Sequence, residues 1–361
     1  MRDGQVSLYF PDRALIGELA GFDDDLFAYL MFDHYRSVSV LQRTQLMLVS
    51  KEGPGGTPIY QIVIQLPSDL ISAISLLGNL QANQLTSTMD FRWVTRSVLL
   101  QYIHQTTLFL NAYKGPSRIR LEELHPLELQ GYLRRFIRFK SMTDPRIRGR
   151  AETVPSPLSR HDASRLAADI IAVAGFYDLP LDLFIGIGAM ENNYMNVPGD
   201  LENTAWKRHP DPGDIILRRS RRRVLVRNDS TGVWQITRQS LRYAHRLYLK
   251  DKRDYSLLPD RLIPPRTLQV DNVAPETLTT YAGILLRDLL DHYHGDLEQA
   301  AGAYNGGVDN PNARYARGVE MVARYARSVI EQAVKLHGVA LSSRSVTNQV
   351  SQSSSDVESV P

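Results

Sequence analysis

Leu183-Phe184-Ile185-Gly186-Ile187-Gly188-Ala189-Met190-Glu191-Asn192-Asn193-Tyr194 is a nearly unbroken apolar run that ends on one carboxylate. The turn Tyr177-Asp178-Leu179-Pro180 precedes it, so the run predicts a buried helix with Glu191 at its C-terminal end. Two effects then act on Glu191. An apolar wall disfavours the ionised carboxylate, and so does the negative end of the helix dipole. Both move the carboxyl toward the range of an acid that must hold its proton near neutral pH.

Helical patterns flank this run on both sides. Asp162 is placed to cap a preceding helix, with Leu166, Ile170, Ile171 and Ala174 along one side. Downstream, Gly232-Val233-Trp234-Gln235-Ile236-Thr237 reads as the opening of another helix. Asn272 is placed to cap a helix with the stripe Leu278, Tyr281, Ala282, Leu285 and Leu289. Asp296 and Gln299 have capping-box spacing and start a short helix that Asn305-Gly306-Gly307 stops. Tyr315 begins a last helix with Val319, Val322, Ala326 and Val329 inward.

Taken in order, Glu191-Asn192, Gly232-Val233-Trp234-Gln235, Asn272 with Tyr281, Ala303-Tyr304-Asn305-Gly306-Gly307 and Tyr315 carry a resemblance. Residues 162–334 resemble the soluble lytic transglycosylase (SLT) domain of the goose-lysozyme-like superfamily. Each short segment is weak alone, and their order beside matching helices makes the combination specific. The resemblance implies a lysozyme-like fold and cleavage of the β-1,4 bond between N-acetylmuramic acid and N-acetylglucosamine. It implies that Glu191 works twice, first as acid on the glycosidic oxygen and then as base on the muramoyl 6-hydroxyl, leaving a 1,6-anhydro end. By the same match Gln235, Tyr304 and Asn305 line the glycan cleft. Tyr304 places its hydroxyl near Glu191 or the sugar, and Asn192, Trp234 and Tyr315 are candidate cleft wall. Trp234 and Tyr281 also read as core. No metal or cofactor is implied. The partner the resemblance implies is the peptidoglycan glycan strand, in the cell envelope or periplasm.

The chain departs from the family pattern in four ways. Asn192 stands where the family has Ser, Trp234 where it has Met and Gly306 where it has Ala, and Gln235 follows Glu191 by 44 positions, a longer interval than expected. The surplus holds Trp206, Pro210, Pro212 and the run Arg218, Arg219, Arg221, Arg222 and Arg223, and is expected to form a flap beside the cleft. Asp200 and Glu202 also fall there, which keeps open a two-carboxylate hydrolytic muramidase. A glycan-binding scaffold without turnover is the third alternative.

The chain has 361 residues and no cysteine, so disulfides and Cys-based metal sites are excluded. Its net charge of +3 is too small for a protein that coats nucleic acid, and no nucleic-acid partner is expected. The Arg run alone suits an anionic polymer or a solvated loop. His292 and His294, two apart on a helix, point to different sides and read as surface. No apolar stretch reaches the ~20 residues of a spanning helix. Met1 to Pro11 lacks the basic-then-apolar order of a secretory leader.

Residues 1–143 are expected to form a mixed, mostly helical domain with a small β-hairpin, placed to attach the enzyme to a cell-envelope machine or to gate its cleft. Pro11 to Tyr35 reads as helix, as do Phe91 to Tyr113 and Leu121 to Phe139. Val40 to Val49 and Ile59 to Leu66 flank Gly53-Pro54-Gly55-Gly56 and predict the hairpin, and Ser68 is placed to cap a helix through Asn83. Residues 144–161 have linker composition, 162–340 form the lysozyme-like domain, and 341–361, with eight Ser, are expected to be disordered. The chain is thus expected to be mainly α.

Overall fold

The computed structural model of the chain describes residues 12–83, 85, 90–114, 120–144, 157–195, 204–210 and 214–353. The fold is mainly α with small sheets, as expected. It divides into two compact units, Met1–Arg120 with Val329–Pro361, and Leu121–Ser328.

The first unit is built on a four-stranded antiparallel sheet of β1 (Arg13–Phe22), β2 (Leu46–Glu52), β3 (Pro58–Gln65) and β4 (Phe91–Thr95), in the order β2-β3-β1-β4. The expected hairpin is its β2–β3 pair, turning at Pro54–Gly56. Two segments expected to be helical begin as strands. In β1, Leu15 and Ile16 are both buried, so the alternation that marks a one-sided strand is missing and the segment imitates a helix. The helix α1 starts only at Asp25 (Asp25–Ser37), where Asp24 accepts from Phe27 N–H at 2.8 Å. Likewise β4 precedes α3 (Arg96–Ala112), and Thr95 caps the junction. Asp69, not Ser68, caps α2 (Leu70–Ala82). One sheet face packs Ile16, Met47, Val49, Val63 and Val94 under Val98, Leu99, Tyr102 and Ile103 of α3. Thr106 of α3 accepts from Leu48 N–H at 2.8 Å and covers the β2 edge.

The second unit holds α4 (Pro126–Met142), α5 (Arg160–Tyr177), α6 (Leu181–Asn192), α7 (Arg238–Lys250), α8 (Pro275–His292), α9 (Leu297–Gly306) and the start of α10 (Ala313–Ser353). Ser159 rather than Asp162 caps α5. The N-cap of α8 is Ala274, and Asn272 lies two residues outside it. Asp296 caps α9 as expected, accepting from Gln299 N–H at 3.0 Å. The compact units divide at Leu121, whereas the sequence reading put its boundary at Thr143. Phe136 of α4 meets Tyr194 edge-on at 6.5 Å, and Gln130 donates to the Ser164 carbonyl of α5 at 3.0 Å. The linker expected at 144–161 lies at 145–156 outside the described residues, and α5 begins at Arg160. The last helix runs past residue 340 to Ser353, into the stretch expected to be disordered; no Gly or Pro interrupts 339–353. Residues 354–361 lie outside the described residues.

The described part of the long interval between Glu191 and Gln235 holds a three-stranded antiparallel sheet of β5 (Thr204–Lys207), β6 (Ile216–Arg219) and β7 (Val224–Arg227), in the order β5-β7-β6. Asp214, its side chain 1% exposed, pins this sheet to α7 by accepting from Lys207 at 2.8 Å and from Arg242. Among the described residues, no helix is long and apolar enough to cross a membrane.

Candidate active site

The helix α6 is shaped by its two glycines. A Cβ on Gly186 would lie 2.7 Å from the Val319 carbonyl of α10, and one on Gly188 would lie 2.7 Å from the Tyr194 ring and 3.2 Å from Trp234. Only glycine lets the helix approach both neighbours this closely. The helix ends through left-handed Asn193 and Tyr194, at φ 45° and 63°. Tyr194 N–H closes back on the Gly188 carbonyl at 3.3 Å. The turn is fixed from outside too: Asn193 donates to Asp144 at 2.8 Å, and the buried Tyr194 hydroxyl donates to the Ile185 carbonyl at 2.6 Å. Glu191 therefore sits on a rigid end.

Glu191 opens on a cleft of about 810 Å³. Gln235, Tyr304 and Asn305, expected from the sequence as cleft residues, line it as well. Burial raises the Glu191 carboxyl to about 7, and the hydrogen bond from Tyr315 partly offsets this. That bond, from Tyr315 Oη to Glu191 Oε1, is 2.6 Å long. The phenols of Tyr315 and Tyr304 are held far above their usual range, by burial first and by the charge of Glu191 second. Both remain protonated donors at any working pH.

The expected role of Tyr315 shifts: it is buried and bonds Glu191 instead of walling the cleft. Tyr304 lines the cleft close enough to feel the charge of Glu191, and its hydroxyl donates to the Trp234 carbonyl at 3.2 Å. Asn312 links the ends of α9 and α10: it donates to Asn305 Oδ1 at 2.8 Å and accepts from Tyr315 N–H at 3.1 Å. The positions of Asn305 and Tyr315 are thus coupled through one side chain.

Two expected cleft residues belong elsewhere. Asn192 is buried and donates to the Met195 carbonyl at 2.7 Å, so it holds the turn after α6. Trp234 is fully buried, stacked on Phe184 at 4.3 Å, with its indole N–H on Thr279 at 3.0 Å. This is the core alternative for Trp234. Nor does Gly232 open a helix: the segment 232–235 is the turn between β8 (Ser230–Thr231) and β9 (Ile236–Thr237), and α7 starts at Arg238. Gln235 takes φ 45° in that turn, a conformation that disfavours side chains. Its amide compensates by accepting from Ser230 Oγ at 2.8 Å and donating to the Gly232 carbonyl at 2.9 Å.

The cleft also includes residues that no motif flagged, among them Ser230, Tyr243 and Asp288. Tyr243 of α7 donates to Asp288 of α8 at 2.8 Å, and its phenol is pushed up to about 12, mainly by burial. The two lie 45 residues apart, and no spacing rule joins them. Ser230 had a weak signal in the polar run Asn228-Asp229-Ser230-Thr231 before the Gly232 turn. Asp200 and Glu202 lie outside the described residues. Among the described residues, no group of three or more His, Asp or Glu is placed to hold a metal ion. No protein-family model matches the chain, and no curated protein matches it either.

Proposed function

We propose that the chain is a peptidoglycan lytic transglycosylase that cuts the MurNAc–GlcNAc β-1,4 bond and leaves a 1,6-anhydro-MurNAc end. The observation that carries this reading is Glu191, a carboxyl raised to about 7 at a cleft and held by a 2.6 Å hydrogen bond from Tyr315. Such a group is an acid and a base in comparable amounts near neutrality. As acid it gives its proton to the glycosidic oxygen, and the bond to C1 breaks. As carboxylate it takes the proton of the muramoyl 6-hydroxyl, whose oxygen bonds to C1. The proton count closes without water, and one carboxyl suffices. The gathering of Gln235, Tyr304 and Asn305 at the same cleft supports the resemblance from which the reading came. The cell envelope is the proposed place of action.

One observation favours a second reading, a hydrolytic muramidase. Asp288 lines the same cleft and offers a second carboxylate to activate water or to bond C1.

Digestion of purified sacculi by wild type and Glu191→Gln, with mass analysis of the soluble fragments, tests both. Anhydro ends from wild type alone are expected. Reducing ends move the assignment to the muramidase. No fragments from folded, sacculus-bound wild type would leave a glycan-binding scaffold instead.

A further inference from the structure

The hairpin of β6 and β7 carries five exposed arginines: Arg218, Arg219, Arg221, Arg222 and Arg223. Ser220 N–H donates to the Arg223 carbonyl at 2.8 Å and closes the turn between them. Among the described residues, no ion pair engages any of the five, although Arg227 and Arg242 close by are both paired with aspartates. Five cations in six residues therefore meet solvent without internal neutralisation.

The sheet face beside them carries exposed apolar side chains among its cations. Residues opposite one another in an antiparallel sheet share a face. Trp206, Leu225 and Arg218 are opposite in register across β5, β7 and β6, and so form one row. Val224 and Val226, the neighbours of Leu225 on β7, are buried, which puts that row on the solvent side. Trp206 is 46% exposed, and Leu217, at the bulge between Ile216 and Arg218, is 48% exposed.

We propose that this hairpin docks on an anionic phospholipid surface, with its arginines on headgroup phosphates and Trp206 and Leu217 at the boundary between headgroups and acyl chains. Arginine reaches phosphate oxygens while its stem covers apolar surface, and tryptophan favours the same interfacial layer. A soluble polyanion such as nucleic acid would match the arginines but offers no place to Leu217. Lipid accounts for both halves of the patch. At the opposite end of the sheet, Thr204 and Asn228 line the cleft. Four strand residues span roughly 13 Å, so a docked hairpin holds the cleft close to the membrane.

The test uses the full chain in co-sedimentation with vesicles of phosphatidylcholine alone or mixed with phosphatidylglycerol. Wild type is expected to bind only the mixed vesicles, less so as salt rises, with a blue shift of tryptophan emission that Trp206→Phe removes. Replacing Arg221, Arg222 and Arg223 together by Gln is expected to weaken binding on the order of a hundredfold. All these positions are exposed, and circular dichroism checks the fold of each variant. No binding by folded wild type to the mixed vesicles, or equal binding by the triple variant, overturns the proposal. So does tight binding to duplex DNA without vesicle binding, or an emission shift that survives Trp206→Phe. Vesicle binding is read without turnover, so its failure is distinct from failure of the transglycosylase reading.

Discussion

Replacing Glu191 by Gln should make the second unit more stable above about pH 4.5, with the gain growing until about pH 7. The carboxyl moves from an ordinary 4.5 to about 7 because burial penalises its charge. The folded chain therefore binds more protons than the unfolded chain between these two midpoints, and stability falls as pH rises from 4.5 through about 7. At 1.36 kcal/mol per pH unit the full penalty is about 3 kcal/mol, and solvent in the cleft trims it to roughly 2–3 kcal/mol. Glutamine keeps the shape and an acceptor for the Tyr315 hydroxyl, but it cannot ionise. Below pH 4.5 the two proteins should unfold together. Well above pH 7 the variant should melt about 4–12 °C higher, at 2–4 °C per kcal/mol for a unit of this size. Thermal and urea unfolding across this pH range measure the difference. A gap that does not change with pH, or a variant less stable than wild type at high pH, refutes the reasoning. On the proposed mechanism the same proton governs catalysis, so wild-type kcat/KM should fall about tenfold per pH unit above 7.

Other perturbations separate the parts of the site. Tyr315→Phe removes the hydrogen bond that holds the Glu191 carboxyl down, so the basic limb of the pH–rate profile should move above 7. The rate at the optimum should fall about ten- to hundredfold as Glu191 loses its orientation. Gly188→Ala puts a Cβ 2.7 Å from the Tyr194 ring and should cost about 1–3 kcal/mol by urea denaturation. Asp214→Asn leaves Lys207 and Arg242 facing a neutral group in a buried site. It should loosen the β5–β7 sheet by about 3–5 kcal/mol, read as faster hydrogen exchange there than in α6.

The sequence alone determined the elements whose signal is local. An apolar run between a turn and a carboxylate is enough to specify α6 and to put Glu191 at its end, because helix periodicity and burial act over neighbouring residues. The capping of α9 by Asp296 and the β2–β3 hairpin are legible for the same reason. Where local signals are ambiguous, tertiary structure decided. Buried on both faces, β1 has no alternation to distinguish it from helix, and only its pairing with β3 and β4 makes it a strand. Trp234 and Asn192 sit in motif positions, yet packing sends one into the core and the other into a turn. Tyr315 lies 124 residues from Glu191, and their hydrogen bond exists only because Gly186 lets α6 lie against α10. The Tyr243–Asp288 pair likewise comes from two helices that meet across the cleft. Periodicity records which side of an element is apolar. It does not record which distant side chain that element will face, and the chemistry of Glu191 depends on the latter.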